Sequence, residues 1–165
     1  MTAVIQIAPS GFTSPEMFQG NVLEHDNTWM PVGTIGHSRP LIYDTRNGGW
    51  ISLLRARGTG TIQRHRHASP VTAWTLEGSW GYREHDWVAR AGSFVYEPAG
   101  HIHTLYIHPD EGHMTAVFHI FGPLIYVDQD GMAQDYEDVF VRMDRYLAYC
   151  RTVGLGEDWV RSLIR

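Results

Sequence analysis

The sequence predicts an all-β protein, a barrel or sandwich of antiparallel strands followed by C-terminal helices. Short apolar or alternating segments recur from Trp29 to Val127, and turn residues separate them. With 17 Gly, 8 Pro, 6 Trp and 8 Tyr in 165 residues, the composition favours turns and strands. Helical spacing of apolar residues begins only near Asp135. The helices therefore follow the strands along the chain and do not alternate with them.

We expect a single domain at residues 1–165, with an N-terminal arm at 1–28, a β-barrel at 29–130 and a helical segment at 135–165. The arm shows no clear hydrophobic period. The predicted strands are Val32 to Ile35, Leu41 to Tyr43, Trp50 to Leu54, Gly60 to His67, Val71 to Leu76, Trp80 to Arg83, Trp87 to Ala89, Ser93 to Tyr96, Thr104 to Ile107, Met114 to Phe121 and Leu124 to Val127.

Three glycine-containing segments predict tight turns between these strands: Glu77 to Ser79, Arg90 to Gly92 and Pro98 to Gly100. After the strands, apolar residues at helical spacing predict a helix over about 136–152. Asp135 is its expected N-cap and Gly154 its expected C-cap. A second short helix is predicted from Glu157 to Ile164.

Composition also limits the partners and the location. The formal net charge of −5 leaves no basic patch for phosphates, which argues against a nucleic-acid partner. The lone cysteine, Cys150, has no partner for an internal disulfide. No apolar run is long enough for a membrane span, and the N-terminal residues do not read as a signal peptide. We therefore expect a cytoplasmic protein without membrane contact.

Histidine is abundant, with 10 residues, and two of them form the motif Gly60-Thr-Ile-Gln-Arg-His65-Arg-His67. On a strand, residues i and i+2 point to the same face, so His65 and His67 can bind one metal ion while Arg66 points away. A second motif follows at Gly92-Ser-Phe-Val-Tyr-Glu-Pro98-Ala-Gly100-His-Ile-His103. Its last histidine is a candidate third ligand.

Together the two motifs resemble the paired motifs of the cupin superfamily. The resemblance implies a double-stranded β-helix of the jelly-roll class and a metal on His65, His67 and His103. His101 shares a strand face with His103 and remains an alternative ligand, although the motif spacing favours His103. We assign no metal role to the other histidines, which are His25, His37, His85, His108, His113 and His119.

The first motif departs from the commonest cupin pattern at Val71. Most cupins carry a glutamate ligand four residues after the second histidine, where this chain has Val71 and then Thr72. Three neutral imidazoles leave the 2+ charge of the ion uncompensated. The site should therefore favour an anionic, chelating substrate.

Further stretches resemble the 2,4'-dihydroxyacetophenone dioxygenases over residues 60–165, and more distantly the acetylacetone-cleaving dioxygenases. They are Gly78-Ser-Trp-Gly-Tyr-Arg-Glu-His-Asp-Trp87, the second motif, Tyr136-Glu-Asp-Val-Phe140 and the tail from Val153 to Arg165. This resemblance implies a non-haem iron(II) enzyme that uses O2 to cleave a C–C bond beside a ketone, in a 2-hydroxyacetophenone or β-diketone substrate, to two carboxylic products.

Four residues are candidates for roles around the metal. Glu97 is six residues before His103, and diketone-cleaving cupins carry a functional glutamate at this offset; it could orient a metal-bound water, an imidazole or the substrate. Arg83 could point inward to hold a substrate oxygen or to pair with Glu97, with a solvated strand arginine as the alternative. Met114 and Phe118 share one face of a late strand and could form an apolar pocket wall, with core packing as the alternative.

Two other function classes remain open from sequence: a zinc-binding regulatory cupin of the anti-sigma type without turnover, and a metal-dependent isomerase or binding module. In the regulatory class, Zn(II) replaces iron, and His101 or Glu97 could supply a fourth ligand. The aromatic-rich barrel and its strand edges also predict a homodimer or homotetramer.

Overall fold

A computed structural model describes residues 14–165, which form two curved antiparallel sheets of a jelly-roll cupin barrel with two short C-terminal helices. Residues 1–13 of the predicted arm lie outside the described part. The elements are β1 Met30–Val32, β2 Gly36–Asp44, β3 Gly49–Arg57, β4 His65–His67, β5 Val71–Tyr82, β6 Ala89–Arg90, β7 Phe94–Glu97, β8 Ile102–His103, β9 Leu105–Ile107, β10 His113–Ile120, β11 Leu124–Val127, β12 Ala133–Glu137, α1 Val139–Thr152 and α2 Glu157–Ser162.

The larger sheet has the strand order β1-β2-β3-β10-β5-β6, and β7 and β9 also pair with β5. The smaller sheet has the order β12-β11-β4-β8. Period-two burial on β10 shows how the strands build the core, because Met114, Phe118 and Ile120 point inward while His119 is only half-buried. These side chains pack with buried aromatic residues, which include Trp50 and Trp80.

One predicted turn was wrong and two were confirmed. Glu77 to Ser79 lies inside the long strand β5, and Gly78 there has a φ of 69°. The pairing with β10 shifts register just before this segment, where Leu76 lies unpaired between Thr75 and Glu77, so the chain forms a β-bulge and continues as a strand without a hairpin turn. At Arg90 to Gly92, the Ser93 amide donates to the Arg90 carbonyl at 2.8 Å. At Pro98 to Gly100, Gly100 supplies the positive φ, at 95°.

The first helix begins three residues later than the sequence predicted. Asp138, and not Asp135, is the N-cap, and its carboxylate accepts from the Phe140 and Val141 amides at 2.9 and 2.8 Å. Residues up to Glu137 pair with β11 instead, because Glu137 is buried in an ion-pair network there. Gly154, with a φ of 78°, follows the C-cap Val153.

The N-terminal segment 14–29 covers part of the outer face of the larger sheet. Arg39 is buried and pairs with Asp26 at 3.3 Å. The Arg55 guanidinium lies over the Trp29 ring at 4.1 Å and donates to the Leu23 carbonyl at 2.5 Å. No helix among residues 14–165 is long and apolar enough to cross a membrane.

Candidate metal centre

Strand β4 places His65 and His67 on one face, as their spacing predicts. Both histidines are buried, and Arg66 between them is exposed. β4 lies between β8 and β11, so that His65 is directly opposite His103. Side chains of directly opposed residues emerge on the same face of an antiparallel pair. The pairing of β4 with β8 therefore brings the three imidazoles together inside the barrel.

The three imidazoles form a compact cluster. Their ring centroids are 4.7 Å apart for His65 and His103, 4.8 Å for His65 and His67, and 5.1 Å for His67 and His103. One ligand atom from each ring lies within 4.8 Å of the others, and the Nε2 atoms of His65 and His67 are 3.2 Å apart. The three histidines that the motifs predicted as ligands thus form a group that could hold a metal ion.

The surroundings of the cluster keep the imidazoles of His65 and His103 neutral. Burial, and to a lesser degree the neighbouring His67, lowers the pKa of His65 to about 4. Burial likewise lowers the pKa of His103 to about 2, together with the other histidines around it. His65 Nδ1 is 2.7 Å from the Gln63 carbonyl oxygen, which accepts a hydrogen bond from the Nδ1–H group. The Nε2 lone pair of His65 is then directed into the cluster.

The donor set fits a divalent ion such as Fe(II) or Zn(II). Nitrogen atoms at about 2.0–2.1 Å from one ion lie roughly 3.0–3.4 Å from each other, and the 3.2 Å between the His65 and His67 Nε2 atoms agrees with this. His103 Nε2 is buried and has no hydrogen-bond partner among the described residues. A buried imidazole lone pair without a partner is costly unless a ligand occupies it.

The carboxylate that is missing at Val71 is supplied from the neighbouring strand. Val71 begins β5 and lies directly opposite Glu97, the last residue of β7. Glu97 is 4% exposed, and its Oε2 lies 3.3 Å from His67 Nε2 and 3.4 Å from His103 Nε2. This oxygen has no hydrogen-bond partner among the described residues. A buried carboxylate therefore lies beside the imidazoles, as predicted for Glu97.

Tyr82 holds this carboxylate, a role that was not predicted from the sequence. The Tyr82 hydroxyl donates to Glu97 Oε1 at 2.6 Å. The Tyr82 ring also stacks on His103, with centroids 4.0 Å apart and planes within 3° of parallel. Burial and the neighbouring Glu97 carboxylate raise the pKa of Tyr82 well above its usual value, so the hydroxyl keeps its proton. One side chain thus fixes both a metal-ligand ring and the nearby carboxylate.

The expected inward position of Arg83 is not observed. Arg83 is exposed, and no hydrogen bond joins it to Glu97. Val71, Ala73 and Thr75 point inward, but beyond the bulge Trp80 and Tyr82 do so. The bulge at Leu76 therefore changes the inward phase from odd to even residues. The sequence predicted a turn at Glu77 to Ser79, but β5 runs through these residues as one strand. The phase change was therefore not predicted.

A cavity of about 360 Å³ lies against the cluster and reaches His65, His67 and Tyr82. Phe118 lines it, whereas Met114 is fully buried in the core and is not among its lining residues. Met114 therefore packs in the core, which was the alternative prediction for Met114 and Phe118, and of the two only Phe118 lines the cavity. The other apolar lining residues are Met30, Pro31, Val32, Leu54, Ile62, Leu105, Ile120 and Leu124.

One end of this cavity is polar. Glu137 Oε2 accepts from the Tyr126 hydroxyl and from Arg142, each at 3.1 Å, and Glu137 Oε1 accepts from Arg145 at 3.1 Å. Arg142 also donates to Ser38 Oγ at 2.6 Å. Each carboxylate oxygen has its partners, and this network joins α1 to both sheets.

A second cavity of about 460 Å³ opens on the other side of Tyr82, beside the edge strand β7. Glu97 and His103 reach it, together with His101 and His85, which are both exposed. Exposed His101 is not part of the buried cluster, so the geometry supports His103 as the third ligand.

Comparison with known proteins agrees with this architecture. A family model described as the ChrR cupin-like domain matches residues 20–123. The chain belongs to the ChrR cupin-like family. No curated protein sequence matches it.

Solved structures show the same fold. An RmlC-like cupin protein from Ralstonia eutropha is 36% identical, with a TM-score of 0.72 over 77% of this chain and 83% of that one. A second R. eutropha protein, of unknown function and with a cupin-like fold, is 26% identical, with a TM-score of 0.69 over 83% and 90%. The acetylacetone dioxygenase of Acinetobacter johnsonii is 17% identical, with a TM-score of 0.73 over 88% and 99%. At that identity the similarity establishes the fold alone.

Proposed function

We propose that this cupin is a non-haem iron(II)-dependent dioxygenase that cleaves the C–C bond beside the ketone of a 2-hydroxyacetophenone or β-diketone. One observation carries the proposal. Glu97 is held by Tyr82 beside the three imidazoles, with its Oε2 unpartnered among the described residues, in a chain that has Val71 where a carboxylate ligand is common. This arrangement suits a substrate that loses a proton as it binds.

His65, His67 and His103 would hold the metal. When bound, the ion would supply Lewis acidity toward the two substrate oxygens and a means of reaction with O2. Because the three ligands are neutral, the centre has a net charge of 2+ before substrate enters, and an enolate compensates this charge better than a neutral ketone.

Glu97 is the proposed proton acceptor. Its Oε1 accepts a hydrogen bond from the Tyr82 hydroxyl, and its Oε2 has no partner among the described residues. A proton taken from the substrate carbon would therefore go to Oε2. For a 2-hydroxyketone, both atoms of one O2 enter the products, giving two carboxylic acids. For a β-diketone, the same balance gives one carboxylic acid and one 2-oxoaldehyde.

The apolar cavity provides the substrate volume. Phe118 and the aliphatic residues around it make much of the wall next to His65 and His67 apolar, and about 360 Å³ accommodates a single small aromatic or dicarbonyl molecule. The sequence resemblance to the 2,4'-dihydroxyacetophenone dioxygenases supports the reaction class, and the fold shared with an acetylacetone dioxygenase is consistent with it.

Anaerobic reconstitution with Fe(II), followed by oxygen-uptake assays on a panel of 2-hydroxyacetophenones and β-diketones, tests the proposal. We expect one O2 consumed for each substrate cleaved, with a zinc-loaded sample as the inactive control. Glu97→Gln should lower kcat by roughly 10²- to 10⁴-fold while the iron content stays unchanged. No oxygen uptake with any member of the panel would rule out the dioxygenase.

A zinc-binding regulatory role is the second candidate, and one observation favours it. Glu97 Oε2 is 3.3 and 3.4 Å from two of the imidazole nitrogens, which is the separation expected for a fourth ligand of a closed tetrahedral site. The match to the ChrR cupin-like domain is consistent with this class.

X-ray absorption spectroscopy of the zinc-loaded protein distinguishes the two candidates. Three nitrogens and one oxygen that Glu97→Gln alters would support the regulatory site. A water ligand that a β-diketonate displaces would support the enzyme, because a catalytic site keeps an open position.

A further inference from the structure

The outer face of the larger sheet carries a group of exposed apolar side chains, which we call the aromatic face. Trp74 and Phe94 are directly opposite residues of β5 and β7, and Thr72 and Tyr96 are the next such pair on the same face. Leu76 and Phe121 extend the face along β5 and beyond β10. The exposed fractions are 51% for Trp74, 39% for Leu76, 52% for Phe94, 58% for Tyr96 and 45% for Phe121.

These side chains are ordered against each other although they face solvent. The Trp74 and Phe94 ring centroids are 4.5 Å apart, and the Phe121 ring stacks on His119 at 3.9 Å. Thr72 and Val117 lie between them in the sheet register and are only half-buried. The aromatic face is therefore one continuous apolar surface and not a set of isolated residues.

The rest of the same outer surface is already covered. Leu53 is directly opposite both Val117 on β10 and Arg39 on β2, so all three point outward. Leu53 is nevertheless fully buried and Arg39 nearly so, because segment 14–29 packs over them. Within residues 14–165, no segment covers the aromatic face in this way.

The area of the aromatic face suits a protein interface. A fully buried aromatic side chain removes about 150–250 Å² from water, so four half-exposed rings and a leucine offer roughly 400–600 Å². Monomeric proteins rarely expose apolar patches larger than a few hundred Å². A typical stable interface buries about 800 Å² on each partner, and the aromatic face alone provides more than half of it.

Charge identifies the occupant. A membrane surface or a nucleic acid requires basic side chains, and the aromatic face has none. Two copies of this chain each carry a net charge of −5 and repel each other over most of their surfaces. The uncharged aromatic face lets two copies meet without opposing carboxylates, and a two-fold axis uses the same face on both.

We propose that the aromatic face is the interface of a homodimer with two-fold symmetry. This inference is independent of the reaction catalysed. Phe94 and Tyr96 also form part of the wall of the 460 Å³ cavity that reaches Glu97 and His103. The second copy therefore lies next to the opening of that cavity.

Light scattering during size-exclusion chromatography, with the full chain loaded at 1 to 100 µM, tests the interface. We expect twice the chain mass of 18.8 kDa for the wild type. The double variant Trp74→Glu, Tyr96→Glu should be a monomer, because like charges would oppose each other across the axis and weaken the dimer at least about 100-fold. A tetramer that the variant reduces to dimers supports the proposal equally.

Phe140→Glu is the matched control, because Phe140 is 52% exposed but lies on α1. It should leave the dimer intact. A monomeric wild type at 100 µM overturns the proposal, and so does a double variant that remains a dimer. If the charged variant fails to fold, Trp74→Ser with Phe94→Ser removes apolar area without adding charge and is judged by the same outcomes.

Discussion

Val71 and Glu97 face each other across the β5–β7 pair, directly opposite in the sheet register. A carboxylate at position 71 would emerge from the first motif, whereas the carboxylate of this chain emerges from the second, on the neighbouring strand. The two positions serve the same space beside the imidazoles. The departure at Val71 thus moves the negative charge to Glu97, where Tyr82 holds it next to the ligand atoms.

Removing a single ligand should abolish tight metal binding. We expect His67→Ala to weaken Fe(II) and Zn(II) affinity at least about 100-fold, because the loss of one of three nitrogens leaves too few ligands for a stable site. His101→Ala should bind metal as the wild type does, since His101 is exposed and outside the cluster. Competition with a chelator measures both. Unchanged affinity in His67→Ala would refute the three-histidine assignment.

Tyr82→Phe should separate the hydrogen bond from the stacking. The variant keeps the ring on His103 but leaves Glu97 Oε1 without its donor, which should cost about 1–3 kcal/mol of stability. Under the proposed function, kcat should fall roughly 10- to 100-fold at unchanged iron content. Tyr43→Phe is the control, because the buried Tyr43 hydroxyl has no partner among the described residues. Equal effects of the two variants would exclude a specific role for Tyr82.

The metal-free protein should lose stability as the pH falls from about 6.5 toward 4. The folded-state pKa values of His65 and His103 are lowered to about 4 and about 2. In an unfolded chain these imidazoles titrate near 6.5. Across this window the unfolded state therefore binds protons that the folded state does not, and stability falls with pH. Thermal unfolding at pH 7.5, 6.5, 5.5 and 4.5 measures the slope.

A smaller slope is expected for His103→Gln, which removes one of the two imidazoles, and an unchanged slope for His101→Gln. A wild-type slope in the His103→Gln variant would contradict the assignment of the pH effect to the cluster.

Met114 and Phe118 should differ in what their substitution affects. Met114→Ala should cost about 2–5 kcal/mol of stability with no change in substrate preference, because Met114 packs in the core. Phe118→Leu should shift the ratio of kcat/KM between a small and a bulkier 2-hydroxyketone roughly tenfold, because Phe118 lines the cavity. A preference unchanged by Phe118→Leu would mean that substrate binds elsewhere.

Gly78→Ala should be strongly destabilising. A non-glycine residue at a φ of 69° costs about 1–3 kcal/mol, and a Cβ there would also overlap the His113 backbone carbonyl. The total should exceed about 3 kcal/mol in urea unfolding. Gly92→Ala is the control, since Gly92 has a φ of 87° but open space around it, and it should show the backbone cost alone. Similar losses in the two variants would exclude a steric clash at Gly78.

The features set by local patterns were predictable from the sequence. Turn residues and alternating segments indicated the barrel, and the spacing of the two motifs indicated the ligands His65, His67 and His103. The features that depend on strand pairing were not predictable. Asp138 replaced Asp135 as the N-cap because residues up to Glu137 pair with β11 as the edge strand of a sheet. Tyr82 was overlooked because its inward direction depends on a bulge formed against β10.

The bulge at Leu76 has a consequence for how this site can evolve. Tyr82 and Arg83 are consecutive, and the strand directs only one of them toward Glu97. Removing one residue anywhere between Gly78 and Tyr82 would exchange a neutral phenol for a permanent cation beside the carboxylate, with no substitution at either position. The proton affinity of the site is thus governed by the length of a strand as much as by the residues that touch the metal.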